Sequence, residues 1–281
     1  MLTIFIIYSN DRKQQLDVTV SCLREMAGYS HCQKVLCVDG IANINIPDFE
    51  IANVKRTNKF FNWSDAWKAG VSAARFNNLL YLDSDRVLPK NYLTQVYENL
   101  EDDKFIYSKL LIRLKEFYPL NVVKAIRDNP YQHSSLWMVD SRLPHPPNLS
   151  VLSVGKNPMS GNTAFTRATW LKTGGIDNSF EGWGFPDTEY YLRTWKMGMK
   201  FNTIDCVELH LQHEYGVSTS RFQLMSLWNA FKLATKFNMK LNQEFQSRMD
   251  HHKLTTELMN KFKNLDTFLK HTEKGNAVKL L

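Results

Sequence analysis

Residues Leu79 to Pro89 read LLYLDSDRVLP, an apolar run that ends in two carboxylates, Asp83 and Asp85, one residue apart. The run is short and bounded, as a buried strand is, and too short for a helix. Side chains alternate along a strand, so both aspartates are expected on one side of its carboxyl end. In open α/β sheets, ligands sit at that end. Two oxygen donors from one tip suit a hard divalent cation, especially one that also holds phosphate oxygens. A solvated turn after a strand is the commoner explanation of an isolated DxD, so the surrounding chain has to decide.

Upstream, Thr3 to Tyr8 reads as a buried strand, Ser9-Asn10-Asp11 as a turn, and Gln14 to Met26 as a helix with Leu16, Val20 and Leu23 on one face. Lys34 to Val38 is a second strand closed by Asp39-Gly40, and Ile51 to Val54 a third. Ser64 to Phe76 reads as a helix capped by Asn62 or Ser64. Strand, helix and strand at this spacing imply parallel βαβ units, which put Asp39 and Asp83 on one edge of one sheet.

Downstream, Asn91 to Leu100 reads as a helix and Phe105 to Ile112 as a strand. Phe117 to Ser150 holds Pro119, Pro130, Pro144, Pro146 and Pro147, a density that predicts loop and makes the stretch a candidate lid. Met159 to Phe165 is expected to be a strand, followed by a helix over Arg167 to Lys172 that Gly174-Gly175 stops. In FEGWGFPDTE, Phe180 to Glu189, Pro186 suits a first helical turn, and Asp187 and Glu189 favour its positive end. Two short strands are expected at Lys200 to Ile204 and Val207 to Leu211, with His210 and His213 at the end of the second. From Ser220 the chain reads as helices, with one apolar stripe through Leu224, Leu227, Phe231 and Ala234 and another through Leu254, Leu258, Phe262, Leu265 and Leu269. The stretch from His271 to the end is expected to fray.

Composition narrows the class. The 281 residues suffice for one large α/β domain with a helical extension. The net charge of +7 is compatible with an anionic substrate or an anionic membrane surface. The lysines and arginines are scattered, which argues against nucleic acid as a partner. Cys22, Cys32, Cys37 and Cys206 form no CxxC pair, so reduced thiols are expected. The apolar start is too short for a signal peptide, and no stretch is long enough to span a bilayer. A soluble cytoplasmic protein, at most peripheral to a membrane, is the expectation.

The residues Asp83, Asp85, Asp187, Glu189, His210 and His213 lie at loop or strand ends, outside the periodic helices. A cation held by Asp85 and an imidazole would act as a Lewis acid for phosphate release. A separate carboxylate at a helix start could take a proton from an incoming hydroxyl. Together these parts describe transfer of a group from a nucleoside diphosphate to an alcohol.

Several motifs, in order over Ile4 to Glu214, resemble glycosyltransferases of the GT-A fold, particularly the β1,4-galactosyltransferase group and the domains of bacterial chondroitin polymerases. The galactosyltransferase pattern FNRAKLLNVG is similar to Phe61 to Gly70, and DVD-LIPMN to Asp83 to Asn91. GG-x-SALS resembles Ser160 to Thr166, GWGGEDDD resembles Gly182 to Glu189, and MxxH falls on His210 to His213. The resemblance implies a Rossmann-like mixed α/β sheet with flanking helices. It implies a GT-A domain over residues 1–219, with a nucleotide-binding half at about 1–110 and an acceptor half at about 150–219, followed by a helical extension over 220–281.

The implied roles follow residue by residue. Asp85 and His213 would bind Mn²⁺ or Mg²⁺, with His210 in place of a methionine ligand. Asp83 would hold the ribose or back the metal. Tyr8 and Asp39 would contact the uracil of a UDP-sugar donor, and Asn62 lies in the donor motif. Asp187 would be the catalytic base of an inverting transfer of Gal, GalNAc or GlcNAc to a glycan or glycolipid acceptor. Trp183, Asn162 and Glu189 fall on the acceptor side. Trp63 stands where the galactosyltransferases keep an arginine, and Pro186 where they keep the first glutamate of GGEDDD. Two other readings stay open: a haloacid-dehalogenase-like phosphatase with Asp83 as nucleophile, since DSDRV fits that pattern, and a non-catalytic module for sugars or polyanions.

Overall fold

The computed structural model describes residues 1–8, 12–40, 44–55, 62–140, 147, 149–152, 159–213 and 219–277. The turn expected at Ser9 to Asp11, together with Phe61, Pro144, Pro146, Glu214 and the last four residues, lies outside them. The first half alternates strand and helix: β1 (Leu2–Tyr8), α1 (Lys13–Leu23), β2 (Gln33–Asp39), β3 (Glu50–Val54), α2 (Trp63–Ala73), β4 (Asn78–Asp83), β5 (Arg86–Val87) and α3 (Tyr92–Asn99). Next come β6 (Lys104–Leu114), α4 (Leu120–Asp128), a 3-10 segment (Pro130–Leu136), β7 (Trp137–Val139), β8 (Val151–Leu152), β9 (Asn162–Thr166), α5 (Arg167–Thr173), α6 (Pro186–Lys196) and β10 (Lys200–His210). The remainder is α7 (Thr219–Phe237), β11 (Lys240–Leu241), α8 (Gln243–His251), α9 (Thr256–Lys261) and α10 (Leu265–Ala277).

The main sheet runs in the order β3-β2-β1-β4-β9-β6-β10-β5, with β7 beside β6. Strands β3, β2, β1 and β4 are mutually parallel, and β9 enters antiparallel between β4 and β6. Because β1 is central, both of its faces are apolar and buried. Phe5 and Ile7 join the face covered by α2, α6 and the C-terminal helices. Ile4, Ile6 and Tyr8 join the opposite face, with Leu16 of α1 and Tyr92 of α3. The first face is rich in stacked rings: Trp67 lies 5.3 Å from Phe165 and 5.7 Å from Trp170, both nearly parallel to it.

Two expectations are corrected. Lys200 to Leu211 is not two short strands. It is one strand, β10, parallel to β6, with a register shift between Ile204 and Val207 that absorbs the interruption. Nor is Phe117 to Ser150 all loop, since it carries α4, the 3-10 segment and β7. Pro119 is the N-cap of α4, and Pro130 occupies the first turn of the 3-10 segment. Proline breaks helix interiors but is tolerated at helix starts, where the missing N–H has no intrahelical partner.

The C-terminal helices share the core of the sheet. Leu224, Leu227, Phe231 and Ala234 are buried in the same cluster as Phe5 and Trp67. The second apolar stripe spans a break at Phe262 between α9 and α10, and Trp228 and Phe268 stack at 5.3 Å across the bundle. β11 pairs in parallel with β8, which fastens this region to the segment before β9. Among the described residues, no helix is long and apolar enough to cross a membrane.

Candidate active site

The sheet brings the separated motifs to one edge. β4 ends at Asp83, and β5 turns back so that Arg86 pairs antiparallel with His210 of β10. The Leu211 N–H donates to the Asp85 carbonyl at 2.9 Å. Residues more than a hundred positions apart therefore meet at one point. Asp85 Oδ2 lies 3.0 Å from His213 Nε2 and 3.6 Å from His210 Nε2, and the two imidazole Nε2 atoms are 3.4 Å apart.

Donor atoms about 2.1 Å from one ion, about 90 to 109° apart, stand roughly 3.0 to 3.4 Å from each other. Two sides of the Asp85–His210–His213 triangle fall in that range and the third, at 3.6 Å, lies just beyond it, and all three residues are buried. A positive group already approaches the carboxylate: Arg12 Nη1 is 2.5 Å from Asp85 Oδ2. Behind the triangle, Asp140 Oδ2 lies 3.1 Å from His210 Nδ1.

Arg86, which follows the two aspartates in sequence, is sunk among carboxylates. Its Nε is 3.2 Å from Asp85 Oδ1 and 3.9 Å from Asp83 Oδ2, and its Nη1 is 3.5 Å from Glu208 Oε1. Burial opposes the Arg86 charge, but Asp85, Glu208 and Asp83 together raise its pKa above the ordinary value. The two aspartates are driven apart. Burial and then the Asp85 charge push Asp83 up. Burial acts on Asp85 in the same sense, yet Arg12, His210 and His213 outweigh it and hold that carboxyl well below its usual range. Burial, then the Arg86 charge, lowers His210. The Tyr81 hydroxyl donates to Asp83 from beneath.

A cavity of about 360 Å³ opens over this cluster. Asp83, Asp85, His210, His213, Trp183 and Asp187 all line it. Trp63, Arg12, Asp140, Gly161 and Ser226 also line it. Asp187 sits in the first turn of α6, directly after Pro186, and its Oδ1 accepts the Thr188 N–H at 2.9 Å. The loop before α6 is shaped by its neighbours. At Gly182, a Cβ would lie 2.7 Å from Met225 Sδ, so the chain presses flat onto α7. Asn229 of α7 donates to the carbonyls of Glu181 at 2.9 Å and Trp183 at 3.1 Å. The C-terminal helices thus hold the loop that carries Trp183 and Asp187.

The other sequence candidates lie around this centre. Tyr8 and Asp39 sit at the carboxyl ends of β1 and β2, one and two residues beyond Ile7 and Cys37, the positions in register with Asp83. Asn62 caps α2 by accepting the Ser64 N–H at 2.8 Å, and it donates to the Asn178 carbonyl at 2.8 Å. Asn162 is buried in β9, where it accepts from the Tyr92 hydroxyl at 2.7 Å and donates to Glu208. Glu189 is buried against Arg193 at 2.7 Å and Lys236 at 2.8 Å. None of these five residues lines the cavity. Arg12 and Asp140 do, and the sequence reading missed both. Arg12 follows the first strand at a helix start, a position that α/β topology marks for ligands. Asp140 carries no signal of its own, because its neighbours read as loop.

Comparison with known proteins agrees with the fold. Residues 152–215 match the family model described as the N-terminal domain of galactosyltransferase. No curated protein sequence matches the chain. Among solved structures, GalNAc-T7 with UDP, GalNAc and Mn²⁺ superposes with a TM-score of 0.58 at 14% identity, covering 98% of this chain and 54% of its own. The mannosyltransferase PcManGT from Pyrobaculum calidifontis, in complex with GDP-Man and Mn²⁺, gives a TM-score of 0.50 at 12% identity, covering 99% of this chain and 74% of its own. The chain thus spans about half the length of the first structure. Its fold is that of the GT-A glycosyltransferases. A haloacid-dehalogenase fold is not favoured.

Proposed function

We propose that this chain is a metal-dependent glycosyltransferase that moves a hexose (Gal, GalNAc or GlcNAc) from a UDP-sugar to a hydroxyl of a glycan or glycolipid acceptor, with inversion. One observation carries the reading: a triangle of metal-type donors and a helix-start carboxylate face one cavity that also holds two half-buried tryptophans. Both solved relatives of the fold described above are complexes with Mn²⁺ and a nucleotide or nucleotide sugar. The galactosyltransferase match over 152–215 favours a UDP-hexose.

Asp85, His210 and His213 would hold the cation. When bound, it would supply Lewis-acid charge to the diphosphate leaving group. Arg12 adds a fixed positive charge beside the same carboxylate. Asp83 would accept from a ribose or sugar hydroxyl, and Tyr8 and Asp39 would receive the base at the neighbouring strand ends. Trp183 offers an apolar face to the acceptor sugar. Asp187 takes the proton of the acceptor hydroxyl. That oxygen then attacks the anomeric carbon from the face opposite UDP, and the bond to the diphosphate breaks with its electron pair leaving on UDP. Asn62, Asn162 and Glu189 act one layer out, by holding the elements that form the walls.

The test is Asp187→Asn. Transfer should fall by at least about 100-fold, as expected for loss of a general base, while UDP and Mn²⁺ affinities stay close to those of the unaltered chain. Parallel loss of binding and turnover would argue that Asp187 is structural.

A further inference from the structure

We propose that Asp140 is the positioning residue of the metal centre, and that its pairing with His210 holds that imidazole in the tautomer and orientation that ligate the cation. The proposal rests on the metal reading above. His210 has a different partner on each ring nitrogen. Nδ1 is 3.1 Å from Asp140 Oδ2, and Nε2 is 3.4 Å from His213 Nε2 and 3.6 Å from Asp85 Oδ2. An ionised carboxylate only accepts, so it takes the Nδ1–H. That fixes the tautomer: Nε2 keeps its lone pair and faces the point where Asp85 and His213 converge. A carboxylate behind a ligating imidazole also raises the basicity of the ring.

Asp140 is well placed to do this. It directly follows β7, whose residues pair with β6, and its own N–H donates to the Leu111 carbonyl at 3.0 Å. Its side chain is only 14% exposed. The donor set it completes is two imidazoles and one carboxylate. Mg²⁺ takes oxygen ligands and sheds water reluctantly, whereas imidazole suits the first-row transition ions. A plain structural ion pair between Asp140 and His210 would change the melting temperature and leave Mn²⁺ affinity alone.

The experiment measures Mn²⁺ affinity, from the EPR signal of free Mn²⁺, on the full chain and on Asp140→Asn and Asp140→Glu. Melting is followed by circular dichroism. The asparagine variant can present its amide N–H₂ to Nδ1 and favour the wrong tautomer. It should bind Mn²⁺ about 10- to 100-fold more weakly with its melting transition retained, and the glutamate variant should recover part of the loss. Unchanged Mn²⁺ affinity in Asp140→Asn overturns the proposal. No Mn²⁺ binding by the unaltered chain would instead overturn the metal reading itself, and the proposal with it.

Discussion

Gly161 adopts φ +94°, and a Cβ there would lie 2.6 Å from Arg86 Cζ. Its carbonyl accepts the Asp83 N–H at 2.7 Å. One residue therefore fixes the end of β4 and leaves room for the guanidinium that lies between Asp83, Asp85 and Glu208. Gly161→Ala meets both a strained backbone and a collision, and should cost about 1 to 3 kcal/mol, measured by chemical denaturation. A neutral effect would mean that Arg86 is free to move and does not set the carboxylates. At this scale the sequence was partly legible. Asp85, His210 and His213 stood out because they lie at strand ends and match, in order, the metal motifs of the galactosyltransferases. Arg86 could not be placed from sequence, since its partner Glu208 reads as an ordinary residue in a strand. Glu208 is brought to Arg86 only by the antiparallel pairing of β5 with β10.

Between elements, the link that matters most joins α7 to the loop before α6. Besides Asn229, Lys236 reaches Asp177 Oδ2 at 2.6 Å and Glu189 Oε1 at 2.8 Å. Burial opposes ionisation of Asp177, but Lys236 and the Ser179 N–H prevail and lower it to about 2. An unfolded aspartate titrates near about 3.9. A folded value below the unfolded one means that the stabilisation is complete above about pH 4 and is lost as the pH falls towards 2. With the side chain about a quarter exposed, roughly 1 to 2 kcal/mol is at stake. Asp177→Asn should lower the melting temperature at pH 6 and flatten its decline between pH 4 and 2. An unaltered acid limb would contradict the link. The amphipathic stripe of α7 predicted a packing helix, and that is what forms. Its second task, clamping the Trp183 loop, depends on Asn229 meeting the carbonyls of Glu181 and Trp183 and on Met225 meeting Gly182, which no periodicity encodes. The proline-rich stretch misled for a related reason: Pro119 and Pro130 start helical segments rather than interrupt them.

At the scale of the whole molecule, the parallel core and its ligand-bearing edge could be read from strand–helix alternation and from the abrupt end of LLYLDSD. The insertion of β9 antiparallel between β4 and β6 could not, because pairing partners for a short strand are set by register and packing. That insertion brings Gly161 under Asp83 and lets one cavity hold both the metal-type donors and Asp187. The central claim is that this cavity cleaves a nucleotide sugar with metal help. The most direct test is UDP release from a panel of UDP-, GDP- and CMP-sugars by the purified chain, with Mn²⁺ and with EDTA. The account predicts release from one UDP-hexose in Mn²⁺ and its loss in EDTA. Binding without release from any donor, or release indifferent to EDTA, would contradict it and point to a sugar-binding module instead.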